Sequence, residues 1–473
     1  MQVLGFTAAA AALLLFQLVF GSVRRRSRSP LLHGALWLAH TLLPPLTAYA
    51  LGLMQASPAK SALYPVWALS LFLVTGGAGA VTAHDHGDNG RWMRRVFVYL
   101  QTYLFSTLMC RVLLSSSSSA AVTVPFALLA TTVVSSHAFG VRASWAAGHP
   151  GPSKVVADHM KNDHAATMNG CKYLVHWPGH KVARGGRSSS AAAYRCELPK
   201  DDVITIDMVW ELCNREEAAF ASHGVSSSRI KGACLSYSLF HLLKRRFFGL
   251  DCAEASLAET RRFVLDGLLS EDNTNEHTEA FRMIEVELGF LYDFFYTKYA
   301  CVFEVETTFF FTAILKIFLT FVLGAVVLLK SHDLLKHVPV TESTTRTVDV
   351  VVTVLVLGVF IAVEATQTVM YMGSDWAMVS LACCRLTKST TNRFLPFGHR
   401  KPFGFLCRRP MFSNWHNSIG QYSVIESSQF FRRSKAFSFE TEPEPMLVFS
   451  ATAEYLRRTW GSLTTSKGLH FVN

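Results

Sequence analysis

Residues 307–329, TTFFFTAILKIFLTFVLGAVVLL, and residues 350–371, VVVTVLVLGVFIAVEATQTVMY, decide the fold class. About 20 consecutive apolar residues suffice for a helix to cross the hydrocarbon layer of a bilayer, and both runs reach that length. Each carries one ionisable residue near its middle, Lys316 in the first and Glu364 in the second. A charge at the centre of such a helix costs roughly 2.5–3.5 kcal/mol on insertion scales. The chain therefore reads as an integral membrane protein, and these two residues are its first candidates for function.

The two runs are consecutive and so antiparallel. Lys316 lies nine residues from Thr307, and Glu364 nine residues from Gly373. At a rise of about 1.5 Å per residue both sit ~13 Å from the same membrane face. Opposite charges at one depth offset part of each other's desolvation. The expectation is an intramembrane charge pair, either a structural link or part of a substrate or proton path.

Composition agrees with this class. Half of the 473 residues are hydrophobic and only 17% are charged, with 35 Phe, which is too apolar for an ordinary soluble protein. The net charge of +11 is read as Lys and Arg in cytosolic loops rather than as a nucleic-acid surface. The ten cysteines form no CxxC pair and no zinc-like spacing, and read as free thiols. No cofactor or metal is assigned, and no GxSxG, Walker A or HExxH string points to an enzyme.

Five further spans are expected near residues 3–20, 33–55, 62–82, 95–114 and 120–141. The first is read as an uncleaved helix and not a signal peptide, because RRRSR (residues 24–28) follows it instead of preceding it. Arg-rich and Arg-poor links then alternate, which predicts seven spans with the N-terminus outside. The link with Lys330, Lys336 and Arg346 is mildly discordant. Trp92, Tyr64 and Trp376 are expected at the membrane interface.

The resulting class is an all-α integral membrane bundle of about seven helices with a helical cytosolic insert. Residues 1–141 form the N-terminal membrane region, 142–303 the insert, 304–373 two further spans and 374–473 a basic cytosolic tail. The insert holds 19 Lys/Arg against 20 Asp/Glu, so it is soluble in character. To about Lys200 it reads as irregular or disordered, and beyond that as helical. One helix is expected over 254–269. Another, over 276–299, would bury a stripe of Phe281, Ile284, Leu288, Leu291 and Phe295. The tail holds 13 Lys/Arg against 6 Asp/Glu. Its RFLPFGHRKPFGFLCRRP segment is a candidate for contact with anionic lipid, against the plainer reading of a solvated tail.

Other candidates are weaker. Cys383 and Cys384 follow the last span and are candidate palmitoylation sites, or plain thiols. His84, Asp85, His86 and Asp88 are the densest group of metal-ligand types, but a short loop implies no geometry. Asp158-His159 and Asp163-His164 share no helical face. His40, ahead of Pro44 and Pro45, suits a polar contact between helices.

Several strings resemble a plant membrane-protein family, domain-of-unknown-function family 4220. LYDFFYTKYA carries the closest likeness, through Tyr292, Asp293, Tyr296, Thr297 and Lys298. The others are TGGAGAVTAHDHGDNGRWMRR (75–95), LSYSLFHLLKRRF (235–247), SDWAMVSL (374–381) and NWHNSIGQYSVI (414–425). Their shared order, from about Leu31 to Ile425, is the specific feature. Gly79 stands where the family commonly has an acid, and no sequence like the C-terminal domain of family 594 is found. The resemblance implies a plant multi-pass membrane protein and brings no catalytic or binding residues. Two functions stay open: a membrane-anchored scaffold or signalling component, or a transporter or channel using Lys316 and Glu364.

Overall fold

The computed structural model describes residues 2–25, 27, 29–56, 63–75, 83, 87–90, 92–114, 120–160, 171–177, 203–222, 225–252, 257–262, 276–335 and 340–386. In chain order the helices are α1 (Gln2–Val23), α2 (Pro30–Ala56), α3 (Tyr64–Thr75), α4 (Gly87–Gly90), α5 (Trp92–Leu114), α6 (Ala120–Gly148) and α7 (Gly151–Met160). After the strands β1 (Leu174–His176) and β2 (Ile204–Thr205) come α8 (Ile206–Arg215), α9 (Glu217–Ser222), α10 (Ser227–Phe247), α11 (Ala258–Arg262) and α12 (Glu276–Tyr296). The last four are α13 (Tyr299–Glu304), α14 (Glu306–Leu335), α15 (Val340–Met372) and α16 (Asp375–Leu386). Met1–Arg28 with Ala35–Asn414 forms one unit. Of a second, Ser29–Gly34 with Trp415–Asn473, only residues 29–34 are among those described.

The fold is an all-α bundle with two apolar cores. The first joins α1, α2, α3, α6, α14 and α15 through residues such as Leu14, Leu51, Phe72, Leu129, Leu323 and Phe360. Its helices present large apolar side chains outward as well as inward. Phe311, Ile314, Phe318 and Phe321 on α14 and Val351 and Leu355 on α15 are all exposed. Such a surface is anomalous in water and natural in hydrocarbon. Val3–Val23, Pro30–Ala56, Phe126–Gly148, Glu306–Leu329 and Thr347–Met372 are each long and apolar enough to cross a membrane.

Five helices among the described residues thus meet that test, against the seven expected. The third expected span is the shorter apolar helix α3, followed by residues outside the described set. The fourth is α5, whose first turn holds Arg94 and Arg95 and which is not among the five. Helix α2 runs through Pro44 and Pro45, with the Thr47 hydroxyl donating to the Pro44 carbonyl at 2.7 Å.

The second core is a lobe built from α7, α8, α10, α12, α13, α16 and the β1–β2 pair. Three expectations change here. Residues 142–200 are not irregular throughout: α6 continues to Gly148, and α7 and β1 follow. Val155, Val156 and Met160 on one side of α7 and Tyr173, Leu174 and Val175 are buried, so these two stretches carry enough apolar surface to pack.

The stripe on α12 is only half buried. Leu291 and Phe295 are in the core, but Phe281, Ile284 and Leu288 are 49–51% exposed. The helix meets α10 through the neighbouring face instead. The Ser236 hydroxyl donates to the Met283 carbonyl at 3.0 Å, and Phe290 meets Tyr237 edge-on at 5.1 Å.

Trp376 is no interfacial anchor. It is 1% exposed at the centre of the lobe, ringed by Tyr237, Phe240, Phe290 and Phe303. The first helix past the last long span, α16, is thus core rather than tail. Of the helix expected over 254–269, only residues 257–262 are described, and α11 lies there. The aromatic-basic segment of the tail lies outside the described residues.

Candidate functional site

Lys316 projects from the buried face of α14, on the same side as Ala313, Leu319, Thr320 and Leu323. The helix places it there because the lipid-type side chains Phe311, Ile314, Phe318 and Phe321 occupy the opposite face. Helix α14 packs against both α15 and α6. Lys316 Nζ lies 2.5 Å from Glu364 Oε1 on α15 and donates to Ser136 Oγ on α6 at 3.0 Å. The lysine is 4% exposed, so its charge is held by one carboxylate and one hydroxyl.

A cavity of about 20 Å³ adjoins the pair, lined by Leu14, Leu73, Lys316, Thr320, Glu364 and Gln367 among others. A second of about 20 Å³ is lined by Lys298, Tyr299, Phe309, Gln367 and Met370 among others. Each has room for one water molecule. Gln367 belongs to both, so the polar side chains run in file from Lys298 through Gln367 to Glu364 and Lys316. Beyond Thr320 the buried residues are mostly apolar, Leu323, Val327, Val356, Leu357 and Phe360, with buried Thr353 accepting from Trp67 Nε1 at 2.7 Å. Beside Ser136, the His137 ring is buried, stacked on Tyr99 at 4.5 Å and edge-on to Phe72 at 4.7 Å.

The file begins at LYDFFYTKYA, where several distant strings meet. Trp376 Nε1 donates to Asp293 Oδ2 at 3.0 Å, and Arg25 approaches Oδ1 at 3.6 Å. Burial raises the Asp293 carboxyl to about 6, and Arg25 and the Trp376 bond oppose that rise. Arg25 lies over Tyr292 at 5.8 Å and Arg24 over Tyr296 at 5.3 Å. Arg24 also donates to the Ala83 carbonyl at 2.9 Å, and Asn89 Nδ2 to the Phe295 carbonyl at 2.8 Å. The Thr297 hydroxyl donates back to the Asp293 carbonyl at 2.8 Å. Lys298 passes close to α6, where a side chain on Gly140 would stand 3.4 Å from Lys298 Cε. Burial and the nearby Lys316 push the Lys298 ammonium down to about 8.

Four of the five strings singled out in the sequence therefore converge on one junction between the bundle and the lobe. The fifth, residues 414–425, lies outside the described residues. Sequence reasoning read Arg24 and Arg25 only as topology signals, and it set Trp376 at the interface and in a family string without foreseeing its bond to Asp293.

The remaining candidates separate. Cys383 is 7% exposed inside the lobe core, and burial pushes its thiol up. That placement is at odds with an accessible acylation site. Cys384 is partly exposed, with its thiol pushed up to about 11 by burial. His159 Nε2 lies 2.9 Å from the Lys172 carbonyl, while Asp163 and His164 fall outside the described residues. His84, Asp85, His86 and the Asp88 side chain also fall outside them. Among the described residues no group of three or more His, Cys, Asp or Glu is placed to hold a metal.

The family described as Domain of unknown function (DUF4220) matches residues 37–427. That range holds Lys316, Glu364, Asp293 and Trp376, but not Arg24 or Arg25. No curated protein and no solved structure matches the chain.

Proposed function

The chain belongs to the DUF4220 family, and from that premise we propose that it is a non-enzymatic multi-pass membrane scaffold or signalling component. In this reading seven spans with the N-terminus outside hold the lobe at the cytosolic face, where it meets partner proteins. One observation carries it. The lobe core includes Phe310 at the start of α14, Tyr371 and Met372 at the end of α15, and Ala147 at the end of α6. The module is thus packed onto the membrane-length helices rather than tethered by a linker, as presentation in a fixed pose requires. Reporter tags after Gly21, Ser118 and Asn473 test the topology, and an external signal from the Asn473 tag overturns it.

A second reading is favoured by the Lys298–Gln367–Glu364–Lys316 file: a transporter or channel for protons or small ions. Intramembrane ionisable groups mark such paths elsewhere. Purified protein in vesicles loaded with a pH-sensitive dye separates the two readings. The scaffold reading expects no flux above protein-free vesicles. Flux that Glu364→Gln abolishes would displace it in favour of transport.

A further inference from the structure

Helix α10 ends in His241, Lys244, Arg245, Arg246 and Phe247, and its last turn is unusual. Lys244 is 3% exposed, yet no described residue gives it a hydrogen bond or an ion pair. It lies instead over the rings of Phe294 at 4.5 Å and Phe240 at 5.1 Å. One turn earlier the His241 ring is buried among Tyr237 at 4.6 Å, Trp177 at 4.8 Å and Phe240 at 4.9 Å. Both of its nitrogens lack a partner. Residues three apart share a helix face, so the ammonium and the imidazole belong to one locality. The carboxylate that acts on Lys244 is Glu304, which is already bonded to Arg142 at 2.8 Å.

Helix-end cations commonly complement the dipole and the last carbonyls. Here that need is met otherwise. Gly249, with φ of +65°, ends the helix in the left-handed region. The backbone N–H groups of Leu250 and Gly249 donate to the carbonyls of Arg245 and Arg246, both at 3.1 Å. Exposed Arg246 serves the dipole without any burial. Imidazole nitrogens left unpaired in an apolar core are costly unless a ligand meets them, and Lys244 beside them takes no hydrogen bond from a described residue.

We infer that His241 and Lys244 form a receptor for an oxyanion of the phosphate class at the end of α10. Such a group accepts hydrogen bonds from the ammonium and the imidazole at once, and the aromatic cage of Phe240 and Phe294 orders the lysine beforehand. Burial pushes the unliganded Lys244 ammonium down to about 7, so an arriving anion would bring it back to full charge. Exposed Arg246 and Phe247 flank the site, and Phe247 packs on Phe295 at 5.5 Å, close to the junction with the bundle. The source is a soluble phosphate or a phospholipid headgroup. Only the second rests on the proposed cytosolic-face placement of the lobe.

The test uses the full chain in phosphate-free detergent and follows its thermal midpoint. The probes are inorganic phosphate, and phosphatidylcholine vesicles with and without phosphatidylinositol phosphate. The wild type is expected to gain a higher midpoint with one of them. Lys244→Met should fold and bind ~10-fold more weakly or worse, the worth of one charge-assisted hydrogen bond. Lys244→Arg should keep most of the response. If Lys244→Met does not accumulate, His241→Gln carries the same comparison. A response to inorganic phosphate assigns a soluble ligand, and one confined to phosphoinositide vesicles assigns a headgroup. No midpoint rise in the wild type with any probe, or an unchanged response in both variants, overturns the site. The phosphate arm is indifferent to topology, so its failure is separate from a failure of the scaffold reading.

Discussion

Two buried lysines sit in opposite circumstances. Lys316, in the bundle, has a carboxylate at 2.5 Å and a hydroxyl at 3.0 Å. Lys244, in the lobe, has no hydrogen-bond partner among the described residues and lies over the faces of two phenylalanines. In hydrocarbon a buried charge has no recourse to water, so it must be answered by the protein itself. Beside an aqueous phase a group can shed its proton or take a ligand from solution. A cation that is answered points to architecture or to an internal path, and one that is not points to something arriving from outside.

The strongest way to break this contrast is to remove one partner of the answered pair. Lys316→Met leaves the Glu364 carboxylate without its cation, and Glu364→Gln leaves a nearly enclosed ammonium. Each should cost about 3–5 kcal/mol, seen as lost abundance and a lower thermal midpoint. The double substitution should recover part of the loss, because no charge is then stranded. Strictly additive losses in the cycle would mean that the two residues do not act on each other.

The same pair shows how much was legible beforehand. Two apolar runs of known length, each with one charge, fix depth by counting residues, because a helix rises by a constant step. Depth and antiparallel order are enough to expect opposition between Lys316 and Glu364. Rotation about the helix axis is another matter. On α12 the residues Phe281, Ile284 and Leu288 and the residues Met283, Val286 and Phe290 make two adjoining apolar stripes. Periodicity cannot say which of them meets α10. The junction was hidden for a similar reason. RRR after the first span and Trp376 after the last are ordinary topology signals until the chain closes and sets them against Asp293. Lys244 gave no local sign, since KRRF at a helix end usually stays solvated.

A pair of substitutions on α12 sharpens that point, with a somewhat smaller effect. Leu291→Ala removes core volume and should cost about 2–5 kcal/mol. Leu288→Asp, three residues earlier and 51% exposed, should change stability by no more than about 0.5 kcal/mol. The sequence pattern alone expects Leu288→Asp to be severe. Thermal midpoints of the two purified variants decide between the stripes, and a large loss from Leu288→Asp would mean that this face is covered in the native protein.

The last effect has the opposite sign. In phosphate-free buffer Lys244→Met should be more stable than the wild type by about 1–4 kcal/mol at neutral pH, since an apolar chain replaces an unanswered buried ammonium. The gain should depend on pH in a definite direction. Burial pushes the folded ammonium down to about 7, whereas the unfolded one keeps the ordinary lysine value of 10.5. Between those values the unfolded chain binds the extra proton, so the wild type gains stability as pH rises and the advantage of the variant shrinks. Below about 7 both states are protonated and the advantage is constant. His241 and His176, held low by burial, are neutral in the alkaline window, and Arg245 and Glu304 are the other charged groups that act on this cluster. Other titrating groups cancel in the difference between the two proteins. Paired unfolding curves from pH 6 to 10 should therefore converge at the alkaline end. Parallel curves would mean that Lys244 stays fully charged in the folded protein, answered by a partner as Lys316 is.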